Sequence, residues 1–255
     1  MVLGSDYDGT LCRNGGISRE DLEAITRWRA AGHLFGVISG RGYTSLYHEV
    51  SVRNHVPYDF LICNNGCAIY DHAGHLMADL AGDGAVLTKV VPAIIQAGGL
   101  HACISTTAQR IRVEYPGAGG HWDVTRTILP EQAGEIKKFN QIDTMFPTEQ
   151  QAADFAVMVN RRFADGITAF QNGVCVDMVP PGVGKPEGLS QYLELMGLPP
   201  QAAVTVGDNY NDVGMLEAFG GYVVASAPPE IQKMVGRVCG SIAELIQERM
   251  LSKAE

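Results

Sequence analysis

Four short runs of this chain carry residue types that could do chemistry together. Asp6-Tyr7-Asp8-Gly9-Thr10-Leu11 places two carboxylates two positions apart at the end of an apolar stretch. Gly9 lets the chain turn at once, which can aim both side chains and a backbone carbonyl into one pocket. Carboxylates in such a pocket can act as nucleophile, as acid and base, or as ligands for a hard cation. Alone, the run reads equally well as an Asp-rich turn. Ser39-Gly40-Arg41 offers a hydroxyl and exposed amides able to hold one phosphate oxygen, although a Ser-Gly turn after a strand is common. Lys185 lies in Gly182-Val183-Gly184-Lys185-Pro186, which is not a phosphate-cradling P-loop: position 179 is Val and Pro186 stands where Ser or Thr is required. By itself it is a solvated lysine at a helix start. Gly207-Asp208-Asn209-Tyr210-Asn211-Asp212 puts two acids four positions apart, on one face if a helix begins between them. An EF-hand would need ligands at alternate positions and a distal Glu, which this run lacks.

The elements around these runs predict where they sit. Val2–Asp6, Leu34–Ile38 and Asp59–Cys63 are short apolar strands, and Ser18 begins a helix that Gly32 stops. Near-continuous apolar strands alternating with amphipathic helices predict a parallel sheet covered on both faces. From residue 67 the texture changes. A hairpin is expected over Ala68–Tyr70 and His75–Ala78, and another where Asn172-Gly173 joins Ile167–Phe170 to Val174–Val179. Helices are expected near 84–97 and 130–139, and β-like runs near 100–105, 110–115 and 155–159. After Pro180-Pro181-Gly182 the first texture returns, with a helix over 186–196, a strand Ala203–Val206, a helix 210–219, a strand Tyr222–Ala225 and two more helices. The expected organisation is a doubly wound α/β core of residues 1–66 and 182–255, interrupted by an α+β insert of 67–181. Hinges are expected at Asn64-Asn65-Gly66 and Pro180-Pro181-Gly182. Strand ends, helix start and loops together gather the four runs beyond the carboxyl edge of the sheet, where such folds bind ligands.

Composition narrows the partners. The 255 residues are 46% hydrophobic and 18% charged, ordinary for a globular protein. The net charge of −9 and the lack of any Lys/Arg cluster argue against nucleic acid and anionic membranes. No apolar run is long enough to cross a bilayer, and an acidic cluster within six residues of the start leaves no basic leader. A cytoplasmic protein is expected. Six scattered cysteines with no CxxC read as reduced thiols.

In order and spacing, the four runs resemble the haloacid dehalogenase superfamily over 1–66 and 182–255. The position and size of the insert, Asn65-Gly66 before it, and Asp177 ahead of Gly182-Val183-Gly184-Lys185 resemble the type-2-capped, Cof-like phosphatases. Pro186-Glu187 departs from the small residue usual after the lysine. The resemblance implies a Rossmann-like core with an inserted cap that governs substrate choice. It also implies Mg²⁺-dependent hydrolysis of a small phosphorylated metabolite, such as a sugar phosphate, through an aspartyl phosphate on Asp6. It implies Asp8 as general acid then base, and Lys185 holding both phosphoryl group and nucleophile. Ser39, Gly40, Arg41 and Asn211 are implied at the phosphate. Asp6, the Asp8 carbonyl and Asp208 are implied at the metal, with Asp212 direct or one shell out. Arg41 and residues of the insert are expected to meet a second anionic or hydroxylated group. A sugar phosphomutase, and a non-catalytic metal- or phosphate-sensing module, are the alternatives. Oligomeric state is not readable.

Overall fold

In the computed structural model, residues 1–119 and 123–251 are described. An eight-stranded sheet runs in the order Val238–Cys239, Tyr222–Val224, Ala203–Gly207, Val2–Ser5, Leu34–Ile38, Phe60–Cys63, Ala68–Asp71, Leu76–Asp79. The first six strands are parallel and the last two antiparallel. Helices such as Arg19–Ala30 and Tyr210–Ala218 connect the parallel strands, so the predicted doubly wound α/β core is present. Ser18 caps the first of these helices by accepting from the Asp21 amide. Burying Val2, Leu3, Phe35, Val37, Leu61 and Ile62 on the central strands makes one apolar core. Fully burying a side chain of this size contributes about 1.5–3 kcal/mol, which is why these strands read as continuous apolar runs.

The inserted unit has its own apolar core, from Leu87 to Met178. It forms a six-stranded sheet in the order Thr168–Asn172, Cys175–Val179, Gln141–Met145, Cys103–Ser105, Arg110–Val113, Arg126–Ile128. Helices Leu87–Gln96 and Glu149–Arg162 belong to the same unit. No helix among the described residues is long and apolar enough to cross a membrane.

Three expectations differ from the structure. The hairpin Ala68–Asp71/Leu76–Asp79 pairs with Phe60–Cys63 and so extends the core sheet, because Ala68, Ile69 and Tyr70 are buried in the core cluster. The insert therefore begins near Gly82, not at 67, and Asn64-Asn65-Gly66 is an internal turn of the core instead of a hinge. The β-like run 155–159 lies within the helix Glu149–Arg162. Thr148 caps that helix, and Ala152, Phe155, Ala156 and Val159 face inward at helical spacing while Val157 points out. Finally, 130–139 is a 3₁₀ segment, Pro130–Glu135, followed by a short strand, Lys138–Phe139, that pairs with Gly82–Asp83 and buries Phe139.

Candidate active site

The strand Val2–Ser5 lies between Ala203–Gly207 and Leu34–Ile38, all parallel, so Asp6, Asp208 and Ser39 leave the same edge of the sheet. The ladder continues one residue past the strand, with the Asp6 amide donating to the Val206 carbonyl at 2.9 Å. That bond fixes where the Asp6 side chain begins. The chain then turns at Gly9, whose φ is +86°, and a Cβ there would overlap the Asp208 carboxylate. Only glycine allows both the turn and the approach.

Lys185 is the first residue of its helix and is 2% exposed, so the solvated-lysine reading does not describe it. Its Nζ donates to Asp6 Oδ1 at 2.7 Å and to Asp212 Oδ1 at 2.6 Å. The other oxygen of Asp212 accepts from the amides of Asp208 and Asn209, at 3.0 and 3.1 Å, at the start of the helix Tyr210–Ala218. Asp212 is thus a helix cap and a partner of Lys185 at once. Asp208 Oδ1 accepts from the Thr10 hydroxyl at 2.7 Å. Thr10 has no role assigned from the sequence, although it stands inside the first run; its place four residues past Asp6 is the only sequence signal, and the structure shows it fully buried.

One cation cannot neutralise three carboxylates. Asp6, Asp208 and Asp212 each offer an oxygen within 4.8 Å of the others. Burial, reinforced by the charges of Asp212 and Asp208, pushes the Asp6 carboxyl well above the usual carboxylate range despite Lys185. Burial opposes the charge of Lys185, but Asp212 and Asp6 hold its ammonium above its ordinary value. An all-oxygen, acid-rich, buried donor set of this kind fits a hard divalent cation.

The Ser39-Gly40-Arg41 loop is braced from behind. Asn64 and Asn65, both in the left-handed conformation with φ of 51° and 52°, donate their amides to the carbonyls of Arg41 and Ser39. Arg41 itself turns to Asp8. Its Nε and Nη2 donate to the two Asp8 oxygens at 2.7 Å each, and its Nη1 donates to Ser45 Oγ at 3.2 Å. Asp8 is exposed, unlike Asp6.

Insert and core enclose a cavity of about 410 Å³. From the core it is lined by Asp6, Asp8, Ser39, Gly40, Arg41, Lys185, Asp208 and Asn211, so the structure brings together every expected site residue except the cap-bound Asp212, which lies behind Lys185. The insert contributes residues that no local sequence pattern announced. Arg110 Nη2 donates to Asp143 Oδ2 at 3.0 Å, its Nη1 lies 2.9 Å from Asp143 Oδ1, and its Nε lies 3.1 Å from Asp123. His101 Nε2 is 3.1 Å from Asp143. Asn65 donates to Asp177 at 2.9 Å and to Gln141 at 3.1 Å, and Gln141 donates to the Gly40 carbonyl at 3.1 Å. Asn209 donates to Asn172 at 2.8 Å across the opposite rim. These bonds fasten the insert to the loops that carry Ser39 and Asp208.

Similarity to known proteins agrees with this geometry. The profile of haloacid dehalogenase-like hydrolases matches residues 3–244. Pyridoxal phosphate phosphatase YbhA of Escherichia coli (strain K12) is 26% identical over 98% of both chains. Among solved structures, the HAD subclass IIB sugar phosphatase BT4131 superposes with a TM-score of 0.79 at 18% identity, covering 99% of this chain and 98% of that one. BT1666 of Bacteroides thetaiotaomicron, from the same superfamily of phosphatases, gives 0.79 at 22% identity, covering 98% and 94%. With its profile spanning nearly the whole length and its fold that of the type-2-capped phosphatases, the chain belongs to the haloacid dehalogenase-like hydrolase family and is an enzyme of the phosphatase kind.

Proposed function

We propose that this protein hydrolyses a small phosphomonoester with Mg²⁺, passing the phosphoryl group through a covalent intermediate on Asp6. The observation that carries the reading is Asp6 itself: a buried carboxylate at a strand end, 2.7 Å from Lys185, beside Asp208 and at the floor of a cavity wide enough for a metabolite.

A carboxylate that attacks a phosphate dianion must be shielded from like charge. Mg²⁺, held by Asp6 and Asp208 with the Asp8 carbonyl, supplies that positive charge when bound. Asp212 has both oxygens engaged, on Lys185 and on two backbone amides, so its part is to position the others. Lys185 holds Asp6 in place and faces the phosphoryl oxygens, with Ser39 and Asn211 as further donors on the cavity wall. In the first step an Asp6 oxygen bonds to phosphorus while the ester oxygen leaves and takes a proton from Asp8. In the second, Asp8 accepts a proton from water, the resulting hydroxide bonds to phosphorus, and Asp6 is released with inorganic phosphate. Asp8 must leave Arg41 to reach the ester oxygen; its exposed position in the cavity permits that movement.

The relatives' names include a pyridoxal phosphate phosphatase, a sugar phosphatase and, over 33% of this chain, a phosphoglycolate phosphatase of Methanothermobacter thermautotrophicus. Their substrates share one phosphate on a small polar body, which supports the same class here. The test is phosphate release from p-nitrophenyl phosphate. Mg²⁺ should support it, and exhaustive chelation should abolish it reversibly. Turnover that survives chelation, or failure to trap phosphate on the protein by rapid acid quench, would overturn the reading.

A further inference from the structure

The insert half of the cavity carries an arrangement that sheet stability alone disfavours. Asp143, on Gln141–Met145, and Asp177, on Cys175–Val179, are direct cross-strand partners in antiparallel register. Like charges directly opposite one another on a sheet are destabilising. Both line the cavity, together with Asp123 and Arg110. Arg110 compensates Asp143 and Asp123, whereas Asp177 receives a neutral amide, Asn65 Nδ2 at 2.9 Å.

Every fixed cation lining the cavity, among the described residues, is already matched to carboxylates. Arg41 is held by both oxygens of Asp8, Lys185 by Asp6 and Asp212, and Arg110 by Asp143 and Asp123. Six aspartates and three such cations line it. A divalent ion would serve the acids of the core, not those of the insert. Asp177 also lies against the phosphate-side loop: a Cβ on Gly40 would be 2.9 Å from Asp177 Oδ2. A leaving group standing above Ser39 and Gly40 therefore meets carboxylate oxygens, and the insert's own cation, Arg110, is already matched to Asp143 and Asp123.

We propose that the insert selects phosphomonoesters whose leaving group is neutral or cationic and offers hydrogen-bond donors, and rejects those carrying a second anionic group. Asp177 and Asp143 are the specificity-determining residues. This rests on the phosphatase reading above and narrows it: Arg41 stands on the core side of the cavity beside Asp8, whereas the insert side meets the leaving group with Asp177 and Asp143.

Two pairs of probes isolate the charge. Phosphoethanolamine and phosphoglycolate are two-carbon monophosphates ending in an ammonium or a carboxylate. Glycerol 3-phosphate and 3-phosphoglycerate differ by a hydroxymethyl against a carboxylate. With the full-length, Mg²⁺-loaded protein, kcat/KM for the carboxylate member of each pair should be lower by about tenfold or more, chiefly through KM. Asp177→Asn keeps the shape and removes the charge, so it should narrow both ratios several-fold. Asp143→Asn should narrow them as well, with cooperative unfolding confirming that it is folded. Binding of the same four esters to Asp6→Asn, by calorimetry, reads the selection without turnover. If no ester is hydrolysed but that binding order holds, the catalytic reading falls and the selection stands. Equal or better use of the carboxylate members, or ratios unchanged in Asp177→Asn, would overturn the proposal.

Discussion

Two ion clusters face each other across the cavity, and they are built on opposite plans. In the core, one lysine sits between Asp6 and Asp212 with Asp208 beside them, and burial, reinforced by the neighbouring acids, pushes the Asp6 carboxyl upward. In the insert, Arg110 is the centre: it donates to Asp143 Oδ2 and is ion-paired with Asp143 and Asp123. Burial works against the Asp143 charge, yet His101 and Arg110 hold its carboxyl below the usual range. The first cluster is left short of positive charge and so is prepared for a cation from outside. The second closes most of its charge within the protein and leaves Asp177 turned toward whatever enters. Under the two proposals above, the first serves reaction and the second serves choice.

The largest effects should come from breaking the core cluster at its reactive member. Asp6→Asn preserves size and one hydrogen-bonding oxygen but removes the nucleophile, and should cost on the order of 10⁴-fold or more in kcat. Mg²⁺ binding, followed by calorimetry, should weaken without disappearing, because Asp208 remains. Asp8→Asn should cost less, roughly 10²–10⁴-fold, since it removes proton transfer while leaving attack by Asp6 possible. Steady-state rates with p-nitrophenyl phosphate should separate the two. The gap should widen for that activated ester, whose leaving group hardly needs a proton and so depends less on Asp8. Equal losses from both substitutions would remove the distinction between them.

Stability compares the two clusters directly. Lys185→Met leaves Asp6 and Asp212 buried without their cation, and breaking a buried pair in this way costs roughly 3–5 kcal/mol. Arg110→Met does the same to Asp143 and should destabilise the insert. Mg²⁺ should recover part of the first loss and none of the second, because only the core acids are arranged for a shared ion. Thermal melting with and without Mg²⁺ checks both. Rescue of Arg110→Met by Mg²⁺ would mean that the insert cluster, too, is a cation site.

The contrast also explains what could be read from the sequence. Asp6, Ser39 and Asp208 each follow an apolar strand directly, and Lys185 opens a helix, so position along the chain is position in the site. A parallel sheet converts short local runs into one edge. In the insert, Arg110, Asp143 and Asp177 lie inside strands and meet only through register, which no local run specifies. In Arg110–Val113 the two arginines share one face of the strand, and the β-like run near 110–115 carries no sign of which acids lie opposite. The same limit misplaced the insert's start. A hairpin at 68–79 has the same local pattern whether it extends the core sheet or begins a new one, and only pairing with Phe60–Cys63 decides. Where an apolar run was continuous, as in Phe155–Val159, helix and strand looked alike until the cap at Thr148 and the inward spacing of its neighbours were seen together.

The smallest expected effect concerns pH and tests whether Asp177 is the acid that the ligand meets. Burial first, and the charge of Asp143 next, push its carboxyl up to about 6, with Asn65, Arg110 and Lys185 opposing. A carboxyl raised in the folded state is neutral below that value and charged above it, and the stability it contributes is present at low pH and lost as pH rises through 6. The lining of the insert thus gains one negative charge between pH 5 and pH 7. Preference for phosphoethanolamine over phosphoglycolate should therefore grow across that window, by a few-fold, and then level off. The second ionisation of each phosphate, near pH 6, falls in the same window and is the same for wild type and variant, so it divides out only in the comparison with Asp177→Asn. His101 and Asp143 face the same space, so Asp177→Asn is the control that assigns the effect: its ratio should be flat where the unmodified protein's rises. A rise of the same size in that variant would move the charge that chooses the substrate to another group, while leaving the core cluster's chemistry as it stands.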